Sequence, residues 1–332
     1  MPLSKPSEKD PSVSYEEALV QQALQAVESP AAREAFQERL KANPRDVTES
    51  LSEGVLWAFA ASEKPENKAL FQIMARASKA IPFGSMKQKL IVSLLRNPGN
   101  EGTGRVFARM LEEGHLDGRW TGSFIEAADE ARLRNALSGK DYFSAMALVG
   151  RVLDRAPEAM SGISDGKIGD VCWMSSETPS MLALFASMVH ANPNRVVSVL
   201  SSRGASEETS KSLSSALYAL AASEDKRLRG AFEALMNANE AAAVKAVKPG
   251  LSLALMDDPK DGGAQRVFET LSDRGCLGSD WMDVTVSNVE KIYAKGHMSA
   301  DRHSAFLKLT QPLVKRPGAS SASSRPPVLQ VL

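Results

Sequence analysis

The stretch "RVFARMLEEGHLDGRW" at 105–120 returns as "RVFETLSDRGCLGSDW" at 266–281, and this repetition limits the fold more than any other feature of the chain. Sliding the sequence by 161 residues aligns 51–120 on 212–281 without a gap. Of those 70 positions 20 are identical, where composition alone gives roughly 4 or 5. Matches include Leu56 with Leu217, Ala60-Ala61-Ser62-Glu63 with Ala221-Ala222-Ser223-Glu224, Phe71 with Phe232, Leu90 with Leu251, Leu94 with Leu255 and Pro98 with Pro259. Upstream, "AFQERLKANPRDV" at 35–47 resembles "LFASMVHANPNRV" at 184–196 at a shift of 149, so the second copy carries twelve extra residues, placed near "SSRGASEE" at 201–208. The sequence therefore predicts two duplicated halves, 15–160 and 161–314.

Each half is too long for one supersecondary unit, and a shorter beat runs inside it. Phe36, Phe71, Phe107, Phe185, Phe232, Phe268 and Phe306 open similar apolar patterns, mostly at intervals of about 35 to 40 residues, which predicts about eight helical-hairpin units. The pattern is helical. Val106, Phe107, Met110 and Leu111 cover one face of a 3.6-residue period, and Val267, Phe268 and Leu271 repeat it. Gly114 and Gly275 then fall where a left-handed residue ends a helix. Proline and glycine clusters, among them "NPRD", "KPEN", "NPGNEG", "NPNR", "KPG" and "DDPKDGG", read as breaks between helices. Asp46 with Glu49 reads as a capping box ahead of the helix that holds Leu56 and Phe59. β-Branched residues are sparse, so the expectation is all-α, with 15 or 16 helices.

Segments 1–14 and 315–332 lack periodicity and are rich in Ser and Pro, so disorder is expected there. The stretch 156–170 reads as a hinge or an irregular loop between the halves.

Charge and motifs narrow the chemistry. Lys plus Arg and Asp plus Glu are both 40, for a formal net charge of zero; proteins that neutralise phosphates carry a basic excess, so nucleic acid is not expected as a partner. Apolar runs fall far short of the roughly 20 residues of a membrane helix, and "MPLSKPSEKDPSVS" has no apolar signal-peptide core, which together point to the cytoplasm. Cys172 and Cys276 are far apart and read as thiols in a reducing compartment. His115, His190, His297 and His303 have no metal-ligand spacing. The glycines of 99–105 and 165–170 lack the phosphate-loop order, and no nucleophile elbow occurs. No metal, no cofactor and no catalytic residue is expected: the chain reads as a non-enzyme.

The repeated Arg105/Arg266 and Trp120/Trp281 form the strongest constellation. As function, the arginines are binding candidates and the tryptophans aromatic anchors, since both types favour interface hot spots. As structure, Phe107, Gly114, Trp120, Phe268, Gly275 and Trp281 are repeat positions, each Arg bridging neighbouring units and each Trp plugging the space between helix pairs. Packing is the favoured reading, because residues kept at equivalent sites of a duplication do the same packing work twice. The methionines, such as Met74, Met110 and Met188, likewise read as core filling.

Paired helices, this beat and Gly/Asn-Pro turns resemble armadillo/HEAT-type α-solenoids over about 15–314. That resemblance implies a right-handed α-solenoid that acts as a scaffold or adaptor and holds a protein partner in its groove. The alternative is an enzyme or nucleic-acid-binding repeat protein with an unrecognised site. The polar N-terminus resembles type III secretion leaders, which implies a bacterial effector exported into a host cell; ordinary disordered tails have the same composition. The tail "SSRPPVLQVL" is a second candidate docking element.

Overall fold

Apolar residues at helical spacing, interrupted by N-capping Ser, Thr, Asn and Asp, give a chain of short helices. The structure, a computed structural model, describes residues 15–78, 81–176, 178–203 and 207–314. Among the described residues it holds eighteen α-helices, one 3₁₀ helix and no strand. Two compact units divide the chain, 1–163 and 164–332.

The first unit contains α1 (Tyr15–Glu28), α2 (Pro30–Ala42), α3 (Pro44–Glu49), α4 (Glu53–Ala61), α5 (Pro65–Ala77), α6 (Ile81–Arg96), α7 (Glu101–Glu112), α8 (Gly118–Leu133), α9 (Gly139–Arg155) and the 3₁₀ helix (Pro157–Gly162). The second contains α10 (Asp165–Met174), α11 (Pro179–Ala191), α12 (Pro193–Arg203), α13 (Glu207–Ala222), α14 (Lys226–Ala238), α15 (Glu240–Asp257), α16 (Gly262–Asp273), α17 (Ser279–Ala294) and α18 (Ala300–Val314). Substantial helix contacts join only elements at most three steps apart along the chain.

The two sets of helix bounds coincide under the sequence shift. α5, α7 and α8 map residue for residue onto α14, α16 and α17 at 161, and α2 maps onto α11 at 149. α12 has 11 residues against 6 in α3, and α13 has 16 against 9 in α4, which matches the difference between the two sequence shifts. Packing partners correspond as well: α4 lies on α5, α6 and α7, and α13 on α14, α15 and α16. All seven phenylalanines of the beat are buried.

Helix ends follow the same rule. Gly114 (φ 73°) and Gly275 (φ 70°) are left-handed, and the next N–H turns back onto the helix: His115 N to Met110 O at 2.9 Å, and Cys276 N to Leu271 O at 2.8 Å. This is a Schellman closure. A second such pair carries no common sequence signal. Asn135 (φ 56°) and Gly296 (φ 74°) are also left-handed, closed by Ala136 N to Ala131 O and His297 N to Ile292 O; Asn and Gly share little in composition, yet both tolerate this conformation. Gly114→Ala and Gly275→Ala are each expected to cost about 1–2 kcal/mol, with Asn135→Gly neutral or stabilising, as read from urea denaturation midpoints.

Four expectations need correction. Residues 156–170 are not a loose join but the 3₁₀ helix followed by α10, whose start is capped by Ser164 accepting from Lys167 N. Asp46 lies inside α3, because Pro44 at its first turn starts that helix earlier, and α4 begins after Ser52. "KPG" at 248–250 does not end a helix but sits within α15. The helix count exceeds 16, since short helices such as α3 stand apart from their neighbours. The expected disorder of 1–14 and 315–332 lies outside the described residues. No helix among the described residues is long and apolar enough to cross a membrane.

Candidate functional site

The repeated arginines are helix anchors. Arg105 Nε donates to Ala61 O at 2.6 Å, at the C-terminus of α4, and Arg266 Nη2 donates to Ala222 O at 2.8 Å, at the C-terminus of α13. Those carbonyls are 161 residues apart. The last carbonyls of a helix have no intrahelical donor, and a guanidinium satisfies them while facing the negative end of the dipole. Arg105 also pairs with Glu63 at 3.1 Å and Glu101 at 3.6 Å. Arg109 adds its guanidinium to Phe59 O and Ser62 O at the same helix end. Each repeated arginine is thus engaged within its own unit.

The tryptophans part ways. In the first unit Trp120 is 3% exposed, stacked on Phe124 at 4.9 Å, with Nε1–H donating to Lys87 O at 3.4 Å. Its backbone N–H is capped by Asp117 at 2.9 Å. Burial pushes that carboxyl up, and the Trp120 N–H together with Lys87 outweighs it, leaving Asp117 below its ordinary range. Phe83 stacks on His115 nearby at 4.3 Å. The rings form two pairs, Phe83 with His115 and Trp120 with Phe124, in the region where α6 packs on α8.

In the second unit the corresponding residues are Val244, Cys276, Trp281 and Thr285. Three of four rings are gone. Trp281 is only half-buried, whereas Trp120 is buried, so the two repeated tryptophans differ in exposure. α15 has no packing on α17 comparable to that of α6 on α8. Instead the two helices flank a groove of about 550 Å³, lined among others by Val244, Lys248, Pro249, Ser252, Trp281 and Val284.

On the other side of α15 lies a cleft of about 430 Å³ formed with α12, α13 and α14. Val197, Leu200, Leu213, Leu217, Leu235 and Ala246 make it apolar. Ala242 and Ala243 line it, at positions where the sequence of the first half has Ile81 and Pro82. Lys245 and Pro249 line both depressions, so an apolar surface continues from α12 across α15 to α17.

Pro249 and Gly250 shape this surface. A proline inside a helix lacks an N–H and crowds the carbonyl four residues back, here that of Lys245. The following Gly250 N–H donates to Ser214 Oγ at 2.7 Å, and a Cβ on Gly250 would stand 2.8 Å from Tyr218 Cβ and 3.0 Å from Ser214 O. The glycine lets α15 press onto α13. In the first unit the same face carries an ion pair, Lys89 with Glu53 at 3.4 Å, with Lys89 over the Trp57 ring. Lys245 and Lys248 make no ion pair with any described residue.

Neither thiol is set up for chemistry. Burial pushes Cys172 up to about 12, and burial, reinforced by Glu240, raises Cys276. Among the described residues no group of three His, Cys, Asp or Glu is placed to hold a metal ion. Sequence reasoning missed Lys245, Pro249 and the small residues around them; the signal was a difference between the halves, not a likeness. No protein-family model matches the chain, and no curated protein or solved structure matches it significantly.

Proposed function

We propose that this protein is an interaction module, a right-handed α-solenoid of duplicated halves, which holds a protein partner without catalytic turnover. Coincident helix bounds, matching packing partners and contacts confined to near neighbours support the duplication and the array. One observation carries the binding reading: two apolar depressions of the second unit meet at Lys245 and Pro249. Contiguous apolar surface beside charged groups marks protein interfaces. The partner segment that suits it offers apolar side chains to the cleft and an acidic residue to Lys245 and Lys248, whose charges steer encounter more than they hold the complex. The equivalent arginines take no part, because they anchor α7 and α16.

Filling the cleft tests this. Ala246→Phe is expected to abolish capture of the partner that the wild-type protein retains from its native cells, with thermal unfolding kept within a few degrees. The equivalent change in the first half, Ser85→Phe, is expected to leave capture intact. Wild-type capture by Ala246→Phe would refute the cleft as the binding site.

A further inference from the structure

We infer that the groove between α15 and α17 is a carboxylate-binding site, which takes an aspartate or glutamate side chain of the bound partner beside Lys248 and the N-terminus of α17. The first unit holds the matching arrangement complete. There Lys87 Nζ donates to Asp117 Oδ2 at 2.9 Å, and Asp117 Oδ1 accepts from Trp120 N at 2.9 Å, so one carboxylate caps α8 and neutralises a lysine of α6. At the shift of 161 the lysine returns as Lys248 and the tryptophan as Trp281, but the aspartate has become Gly278. The two donor positions are kept and their acceptor is gone.

The second unit leaves room for a carboxylate from outside. Gly278 (φ −73°, ψ 162°) keeps the extended backbone of Asp117 (φ −94°, ψ −176°), and a Cβ placed on it would meet nothing within 4 Å. α17 starts without a side-chain cap; the first N–H groups of a helix lack intrahelical acceptors, and the dipole there favours an anion. Lys248, which makes no ion pair with any described residue, lines the groove together with Lys245 and Trp281, and no acidic residue is among those lining it. The nearby carboxylates are placed elsewhere. Asp280, in the first turn of α17, is exposed and accepts from Ser279 Oγ at 3.4 Å, and Glu240 on α15 pairs with Arg274 at 4.0 Å. Ser252 Oγ and Thr285 Oγ1, 3.2 Å apart, and the Asn288 amide add hydrogen-bonding groups to the groove, while the half-buried Trp281 beside Val284 offers apolar contact next to the charge. The complement of this surface is an acidic side chain with an apolar neighbour in its own chain.

The source of the carboxylate rests on the proposed partner binding; the site itself is tested without a partner. In full-length protein, the blocked dipeptide acetyl-Asp-Phe-amide is titrated while the backbone amide NMR signal of Trp281 is followed. A saturable shift is expected, with acetyl-Asn-Phe-amide binding roughly tenfold more weakly. Lys248→Gln is expected to weaken the aspartyl peptide by a similar factor. Gly278→Asp, which restores the tethered carboxylate of the first unit, is expected to abolish its binding, whereas Gly278→Ala keeps it. Equal binding of the two peptides, no shift at Trp281, or wild-type binding by Gly278→Asp would overturn the proposal. Loss of partner capture in Ala246→Phe without any response to the aspartyl peptide would refute this site alone. The expected peptide response with capture unaffected by Ala246→Phe would refute the cleft and leave this site standing.

Discussion

Trp120→Ala is expected to lower the unfolding free energy by about 3–5 kcal/mol, the range for truncating a buried large aromatic. The loss has three sources: the stack on Phe124, the contact with Phe107 at 6.1 Å, and the Nε1–H bond to Lys87 O, whose acceptor is left without its donor. Trp281→Ala is expected to cost less than half as much, since its ring is half-exposed and Thr285 offers no stack. Chemical denaturation of both variants reads the difference directly. Equal losses would mean that Trp281 is buried as fully as Trp120, and the open groove would have to be abandoned.

Gly162→Ala should be comparably damaging to the first unit, by at least about 3 kcal/mol, at the upper end of overpacking costs. A Cβ at Gly162 would lie 1.6 Å from Gly118 O and 2.5 Å from Gly118 C, and one at Gly122 would lie 2.7 Å from Gly162 O. All three obstacles are backbone, so no side-chain rotation relieves them. The 3₁₀ helix would have to lift off α8, exposing Ala159, Met160 and Ile163, each nearly fully buried. Gly139→Ala is the matched control: nothing lies within 4 Å of its Cβ position, and alanine at a helix start costs nothing. A Gly162→Ala protein as stable as the control would show that α8 and the 3₁₀ helix do not meet at this seam.

The all-α class was legible where apolar periodicity and capping agree. α7 and α16 show why: Val106, Phe107 and Met110 face the core, Asn100 and Asp261 cap the starts, and Gly114 and Gly275 close the ends. The arginines were legible as a pair but not as anchors, since the carbonyls they reach, Ala61 and Ala222, are 44 residues earlier and carry no side-chain signal. Pro249 misled for a physical reason. Proline normally ends a helix, but Ser214 Oγ takes over the Gly250 N–H and the absence of a Cβ admits α13, so tertiary packing overrides the local preference. The groove and cleft were illegible because Val244, Thr285 and Ala242 each look ordinary until set beside Phe83, Phe124 and Ile81.

On the proposed function the second half, and not the first, presents the binding surface. A photoreactive benzoylphenylalanine placed at Lys245, and separately at the equivalent and likewise exposed Gly84, tests this most directly in the cells that make the protein. The expected result is a discrete covalent partner adduct at 245 that Ala246→Phe removes, with none at 84. An adduct of the same partner at 84, or at both positions alike, would contradict it.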